Sequence, residues 1–313
     1  MIIEFSKDLK KEKIYANGHE LVQVLGQKIN LSKNRTALNK KLIGTIKNPV
    51  LVTDLYAMAK QLKNNIVRDT IFALYQSYPR ITQYNKVSVW WDPLRHKDVW
   101  CPSIDTILFA RALNKIIKNS RYFKSVLEIG CGSGFLGKYI ASTFTNIKKV
   151  VFVDINPFAI LCAKDNTKEF HIKKEFFTQR WQNIKKGEKY DLIICNPPYL
   201  PRPRSVDKNS YEGISLMREI ILFGKNHLNE GGSIVINYSS LCEKDAKNFI
   251  KQSGLKSRLL VKMKVPLKVL PVLNNKDWMK FLYKKTGLKK EPRQGYIYWQ
   301  TLNIVELKND KKI

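Results

Sequence analysis

An α/β fold, with a mostly parallel seven-stranded sheet covered by helices on both faces, is predicted by three features of the sequence. From Ser125 onward, short apolar runs alternate with helical patterns, the rhythm of repeated βα units. The first run leads into a glycine-rich turn, Gly130-Cys131-Gly132-Ser133-Gly134. The fourth runs into Asn196-Pro197-Pro198-Tyr199, where two prolines force the chain out of the sheet. Open sheets of this kind bind ligands at the carboxyl ends of their strands.

Composition narrows the class. At 313 residues the chain can bury a sizeable core, and 44% hydrophobic residues is ordinary for a soluble protein. No apolar run is long enough to span a bilayer, and the Lys-rich start is unlike a signal peptide, so a cytosolic protein is expected. Cys101, Cys131, Cys162, Cys195 and Cys242 form no CxxC pair, and the four histidines are scattered. That argues for reduced thiols and against a metal site. The net charge of +30 suits a polyanionic partner such as RNA, a ribosome or DNA. It equally suits a Lys-rich proteome, because the lysines are spread along the whole chain.

In chain order, residues 1–85 are basic and mostly helical in pattern. The clearest helix runs from Thr53 to Tyr78, with Leu55, Met58, Leu62, Ile66, Ile71 and Leu74 at spacings of three to five. This unit reads either as a substrate-recognition domain or as a helical cap. Lys86 to Trp91 alternates like a strand, and Ser103 is placed to cap a helix over Ile107–Ile117. The seven strands then fall at Ser125–Ile129, Val150–Asp154, Ile172–Phe177, Tyr190–Cys195, Gly232–Tyr238, Leu255–Val265 and Gly295–Leu307. Helices are expected at Phe135–Thr143, Ala159–Phe170, Tyr211–Leu228 and Leu241–Gln252. Residues 267–294 look like an insertion.

The glycine turn permits a tight bend and close approach of a ligand to the backbone. Asp154 ends the second strand, 24 residues after Gly130, where a carboxylate can accept hydrogen bonds from two ribose hydroxyls. Turn and acid together indicate a nucleoside site. The spacing Gly130-x-Gly132-x-Gly134, preceded by Glu128, differs from the dinucleotide pattern G-x-G-x-x-G.

That form resembles motif I of the class I S-adenosylmethionine-dependent methyltransferases, and a catalytic motif after the fourth strand is also this family's arrangement. The resemblance covers residues 85–308. It implies S-adenosyl-L-methionine as methyl donor, held by Glu128 and the Gly130–Gly134 turn including Cys131 and Ser133, with Asp154 on the ribose and Ile155 or Asn156 against adenine. Asn-Pro-Pro-Tyr in this family marks transfer to a planar NH₂ group. The side-chain carbonyl of Asn196 and the backbone carbonyl of Pro197 can each accept one N–H, while Tyr199 stacks on the acceptor.

Protein glutamine methyltransferases and adenine amino-methyltransferases share this tetrapeptide. The extended Asn-Pro-Pro-Tyr-Leu-Pro (196–201) is similar to the HemK/PrmC-type release-factor glutamine methyltransferases. So are Pro102-Ser103-Ile104-Asp105-Thr106 before the first core strand and Tyr211-Glu212-Gly213 after the tetrapeptide. Asp105 and Thr106 are placed with the donor-binding residues on this resemblance. The chain departs from the family after the third strand, where Thr178-Gln179-Arg180-Trp181 replaces a common Asp. Gln179 can accept from the adenine amino group, and Trp181, 15 residues before Asn196, matches an aromatic beside the cofactor. In 267–294, Trp278, Phe281 and Tyr283 among lysines read either as a nucleic-acid surface or as an amphipathic packing helix. The expected reaction is methylation of a protein glutamine amide in a release factor or ribosomal protein, with RNA or ribosome contact suggested by the charge and no membrane partner. The alternative is an adenine amine in RNA or DNA.

Overall fold

A computed structural model describes residues 2–5, 12–16, 19–24, 27–31, 80–92, 95–117, 123–204, 213–267, 269–293 and 296–308. The chain divides into two compact units, Met1–Cys101 and Pro102–Ile313.

In the first unit, β1 (Ile2–Phe5), β5 (Arg80–Tyr84) and β6 (Val87–Trp91) form an antiparallel sheet in the order β1-β5-β6. A separate meander joins β2 (Glu12–Ala16), β3 (His19–Val24) and β4 (Gln27–Leu31). This corrects the helical reading of the first residues. Ala16 pairs with His19, so Asn17-Gly18 separates β2 from β3 in sequence, and Asn-Gly is the strongest short hairpin signal. Runs such as Leu21-Val22-Gln23-Val24 are also rich in β-formers. The helix expected at 53–78 lies outside the described residues. The β5–β6 hairpin belongs to the first unit, so the division falls after Cys101 instead of near residue 85.

The second unit holds the α/β sheet. Its strands are β7 (Ser125–Ile129), β8 (Lys149–Asp154), β9 (Lys173–Thr178), β10 (Tyr190–Cys195), β11 (Leu228–Ser239), β12 (Lys256–Pro266), β13 (Lys290–Arg293) and β14 (Tyr296–Lys308). Their order is β12-β14-β11-β10-β7-β8-β9, with β13 on β14. β7 to β11 are mutually parallel, and β14 runs antiparallel to both β11 and β12. The seven expected strands are present, and the short β13 comes from the 267–294 insertion.

Three helices, α1 (Ile104–Ile117), α2 (Phe135–Thr143) and α3 (Pro157–Asn166), lie on one face. On the other lie α4 (Ser215–Phe223) and α5 (Glu243–Ser253), whose Met217, Ile220, Ile221 and Ala246 pack on Leu127, Ile129, Ile193, Cys195, Ile234 and Ile236. These strands read as continuous apolar runs because both faces are covered. α3 stops four residues short of its expected end, where the Thr167 hydroxyl bonds back to the Ala163 carbonyl at 2.7 Å, a competitor to helix propagation. α4 begins at Ser215, and its tail tightens into a 3₁₀ turn over Gly224–His227.

Chain reversal between β9 and β10 makes the β7–β10 junction the topological switch point, where ligands of such sheets bind. Asp191 ties the opposite end of this junction, accepting from Ser125 N–H and Oγ–H and from Asn229 at 2.7–2.9 Å. Among the described residues, no helix is long and apolar enough to cross a membrane, and no His/Cys/Asp/Glu group is arranged to hold a metal.

Candidate active site

The glycine turn leaves β7 and enters α2. Gly130, Gly132 and Gly134 have φ of 66°, 51° and 73°, a region that strains any residue carrying a Cβ. A Cβ at Gly134 would lie 2.9 Å from the Ala163 Cβ, whereas one at Gly132 would meet nothing within 4 Å. The turn is thus pressed onto α3 at its end and open at its middle, leaving room for a ligand against the backbone. Gly130 and Cys131 donate to the Val153 carbonyl, which fixes the turn to β8. Cys131 and Ser133 are buried, so they shape the turn with their backbones.

Asp154 closes β8 beside this turn. Its Oδ2 accepts from Gly132 N–H at 3.0 Å and its Oδ1 from Asn156 N–H at 2.9 Å. A carboxylate offers about four lone-pair positions, so with the Ile155 amide also close by, the group still retains accepting capacity for a ligand. Burial raises the Asp154 carboxyl above its usual range, and the Asn156 and Gly132 amides oppose that rise. Next to it Ile155 is 46% exposed, and Phe158 and Phe177 are also exposed, an apolar rim suited to a flat ring. Gln179 N–H donates to the Asp154 carbonyl at 2.9 Å, which places residue 179 at the same edge.

Glu128 and Trp181 occupy supporting positions. Glu128 is 3% exposed and accepts from Gly137 N–H at 2.8 Å, and a Cβ at Gly137 would come within 2.6 Å of the Glu128 Oε2. Burial pushes this carboxyl up to about 8; the Gly137 hydrogen bond opposes the rise and the Asp154 charge adds to it. Glu128 therefore braces the turn from inside. Trp181 is buried in the core, with its ring and that of His227 edge-to-face.

The second half of the site is the exit of β10. Asn196 Nδ2 donates to Asp105 Oδ2 at 3.2 Å, and the Tyr199 hydroxyl donates to the same oxygen at 3.4 Å. Ser103 Oγ donates to Asp105 Oδ1 at 2.5 Å, so its hydroxyl serves this carboxylate and not the helix start. A carboxylate only accepts, so Asp105 must take the NH₂ end of the Asn196 amide. The other end, Asn196 Oδ1, is buried without a hydrogen-bond partner. Buried acceptors are normally satisfied, and an orphan in a strand-end cleft marks a place where a donor binds. Asp105 thus sits against the tetrapeptide, while Thr106 accepts from Ser103 N–H at 3.3 Å and holds the first turn of α1. Burial raises the Tyr199 hydroxyl well above its usual range and the neighbouring Asp105 adds to this, which keeps it a proton donor.

Supports for the tetrapeptide come from parts of the chain that carry no motif. Cys242 Sγ–H donates to the Tyr199 carbonyl at 3.1 Å, and Trp278 Nε1–H donates to the Pro201 carbonyl at 2.8 Å. Trp278 lies on α6 (Lys276–Thr286), which with Leu200, Leu241, Leu267, Val272 and Leu282 forms a small core against Tyr199. Of the two readings of 267–294, packing is the one realised for Trp278, since it is 1% exposed. Its burial was legible in the apolar spacing 278, 279, 282. Nothing local marks Cys242, and Gly137 shows only as a glycine inside a helical run.

A family model for the methyltransferase small domain matches residues 104–257, from α1 into β12. Sheet order, glycine turn, strand-end carboxylate and Asn-Pro-Pro-Tyr exit together define a class I methyltransferase, an enzyme that uses S-adenosyl-L-methionine. The chain is 36% identical over 190 residues to a Methanocaldococcus jannaschii protein provisionally named protein N5-glutamine methyltransferase, an overlap of 57% of this chain and 92% of that protein. It is 32% identical to the release factor glutamine methyltransferase of Borreliella burgdorferi, over 51% of this chain and 59% of that enzyme. For the enzyme of the same name from Clostridium acetobutylicum the identity is 29%, over 51% and 62%. The chain therefore spans about six-tenths of these two bacterial relatives and nearly all of the archaeal one. It belongs to the HemK/PrmC-type family of methyltransferases.

Proposed function

We propose that this enzyme methylates the side-chain amide nitrogen of a protein glutamine, in a release factor or a ribosomal protein of the cytosol. The observation that carries this reading is the buried, unpartnered Oδ1 of Asn196, with its NH₂ end held away by Asp105. An amide nitrogen is a weak nucleophile because its lone pair is delocalised into the carbonyl. Accepting one of its N–H groups at Asn196 Oδ1 and the other at the Pro197 carbonyl localises electron density on nitrogen and fixes its direction of approach. Tyr199, tethered through its hydroxyl to Asp105, covers the planar group and excludes water. No strong base is required, because the attacking nitrogen becomes acidic as its new bond forms.

The residues present fit the methyl donor. The open space over Gly132, the spare lone pairs of Asp154 and the exposed Ile155 would hold its nucleoside. When bound, S-adenosyl-L-methionine supplies a methyl group activated on a sulfonium. The names of the relatives favour glutamine over adenine.

Incubating the enzyme with donor labelled in the methyl group and cell extract tests the substrate class. Label that becomes soluble on protease treatment and resists RNase and DNase is the expected result. Label released only by nuclease would assign the site to a nucleobase.

A further inference from the structure

Helix α6 carries opposite chemistry on its two sides. Trp278, Met279 and Leu282 are buried, and the Trp278 indole is bonded to the Pro201 carbonyl. At 3.6 residues per turn, Lys280 and Lys284 project away from that buried side and Lys276 flanks them, and all three are exposed. Lys285, Lys289 and Lys290 extend the exposed positive surface past the helix end, and Asp277 is the one acid within α6. Among the described residues, no carboxylate lies within ion-pair distance of Lys276, Lys280 or Lys284. Like charges four residues apart on a helix repel, so this row is unfavourable until an anion neutralises it.

Its place matters as much as its sign. The helix is fixed to Leu200 and Pro201, the two residues that follow the catalytic tetrapeptide, and Arg204, three residues further along the chain, is exposed. The surface is marked by charge more than by aromatic rings: Trp278 is buried, and Tyr283, 37% exposed, packs edge-to-face with Tyr298 and shares a hydroxyl hydrogen bond with it. Protein interfaces are depleted in lysine and anchored by aromatic or arginine side chains, whereas lysines acting as point charges are well suited to phosphates.

We propose that the exposed face of α6 binds the phosphate backbone of structured RNA and so holds the enzyme beside a protein substrate that is itself bound to RNA. The excess of 56 basic over 26 acidic residues supplies the long-range attraction. The row on α6 supplies the local contact, next to the exit of β10. The protein-substrate half of this inference rests on the proposed glutamine activity, whereas the RNA contact is measured below without methyl donor and so is tested apart from it.

Fluorescence anisotropy of the full chain with a short RNA duplex, over a series of salt concentrations and without methyl donor, tests it. The triple variant Lys276→Glu, Lys280→Glu, Lys284→Glu should bind at least about tenfold more weakly, and its salt dependence should flatten by roughly two to three in log–log slope. The control variant Lys244→Glu, Lys247→Glu, Lys251→Glu makes the same change of net charge on exposed positions of α5 and should lose less than about threefold. Equal losses in the two variants would reduce the effect to net charge, and an undiminished α6 variant would remove the site; either result overturns the proposal. Stronger binding of polyglutamate than of RNA, lost only in the α6 variant, would overturn it in favour of an acidic protein. Should the triple variant fail to melt cooperatively, Lys280→Ala replaces it, with an expected slope change of about one.

Discussion

The glycine turn and the Asn-Pro-Pro-Tyr exit sit at the ends of adjacent strands, β7 and β10, yet their polar atoms are accounted for in different ways. Around the turn, the backbone amides of Gly130, Cys131, Gly132 and Asn156 all have partners on or beside β8, within one βαβ unit. The ligand surface there is what remains after local needs are met: spare lone pairs and open space. At the exit of β10, the amide of Asn196 is only half satisfied, and its partner Asp105 lies 91 residues away on α1. The donor half is a self-contained cradle. On the proposed function the acceptor half is poised: distant elements hold the Asn196 amide in one orientation and leave its oxygen unpartnered.

The contrast can be broken or sharpened by substitution. Asn196→Ala should slow methyl transfer by about a hundredfold or more, the scale seen when one preorganised hydrogen-bonding group is removed. Donor affinity, measured by calorimetry, should stay within about threefold. Asp154→Ala should do the reverse, weakening donor binding by about tenfold or more through lost charge-assisted hydrogen bonds. Gly134→Ala combines positive φ with a 2.9 Å approach to Ala163 and should cost about 2–4 kcal/mol in thermal or urea unfolding. Gly132→Ala, with no clash, should cost only the conformational strain of about 1–2 kcal/mol while obstructing the donor.

Trp278→Phe tests the poised half from behind. It keeps the buried ring but leaves the Pro201 carbonyl without its donor, for a loss of about 1–2 kcal/mol and a lower transfer rate at unchanged donor affinity. The last test concerns the pH response of the cradle. The Glu128 carboxyl is raised in the folded protein from 4.5 to about 8, so the native state holds a proton that the unfolded chain has released. Its contribution is fully present below pH 4.5 and lost as pH rises through about 8, so stability should decline across that window. Glu128→Gln should flatten the decline in melting experiments taken at successive pH values.

How far the sequence revealed this site follows the same division. The strand Tyr190–Cys195 and the helix Phe135–Thr143 fall where the apolar runs place them, because both are bounded by glycine or proline. The turn and Asp154 were legible because their contacts are local and their backbone demands glycine. Asp105 was legible only as part of a family motif, and its contact with Asn196 could not be read from spacing, since tertiary packing of α1 brings the two together. Cys242 and Trp278 support the tetrapeptide for the same reason and carry no signature of that role. In the first unit, the basic residues mask the hairpin that Asn17-Gly18 and the neighbouring β-branched residues favour, and β2 and β3 pair there.

The chemical nature of the methylated nitrogen tests the central claim most directly. Acid hydrolysis of N-methylated glutamine cleaves the amide and releases methylamine, whereas methyl groups on adenine, lysine or arginine remain on a non-volatile product. The hydrolysed protein fraction of extract labelled by the wild-type enzyme should therefore release volatile labelled methylamine once made basic, and extract treated with Asn196→Ala should release about a hundredfold less. Label retained as methyladenine, or as a methylated basic amino acid, would contradict the assignment of Asn196 and its neighbours to a glutamine amide.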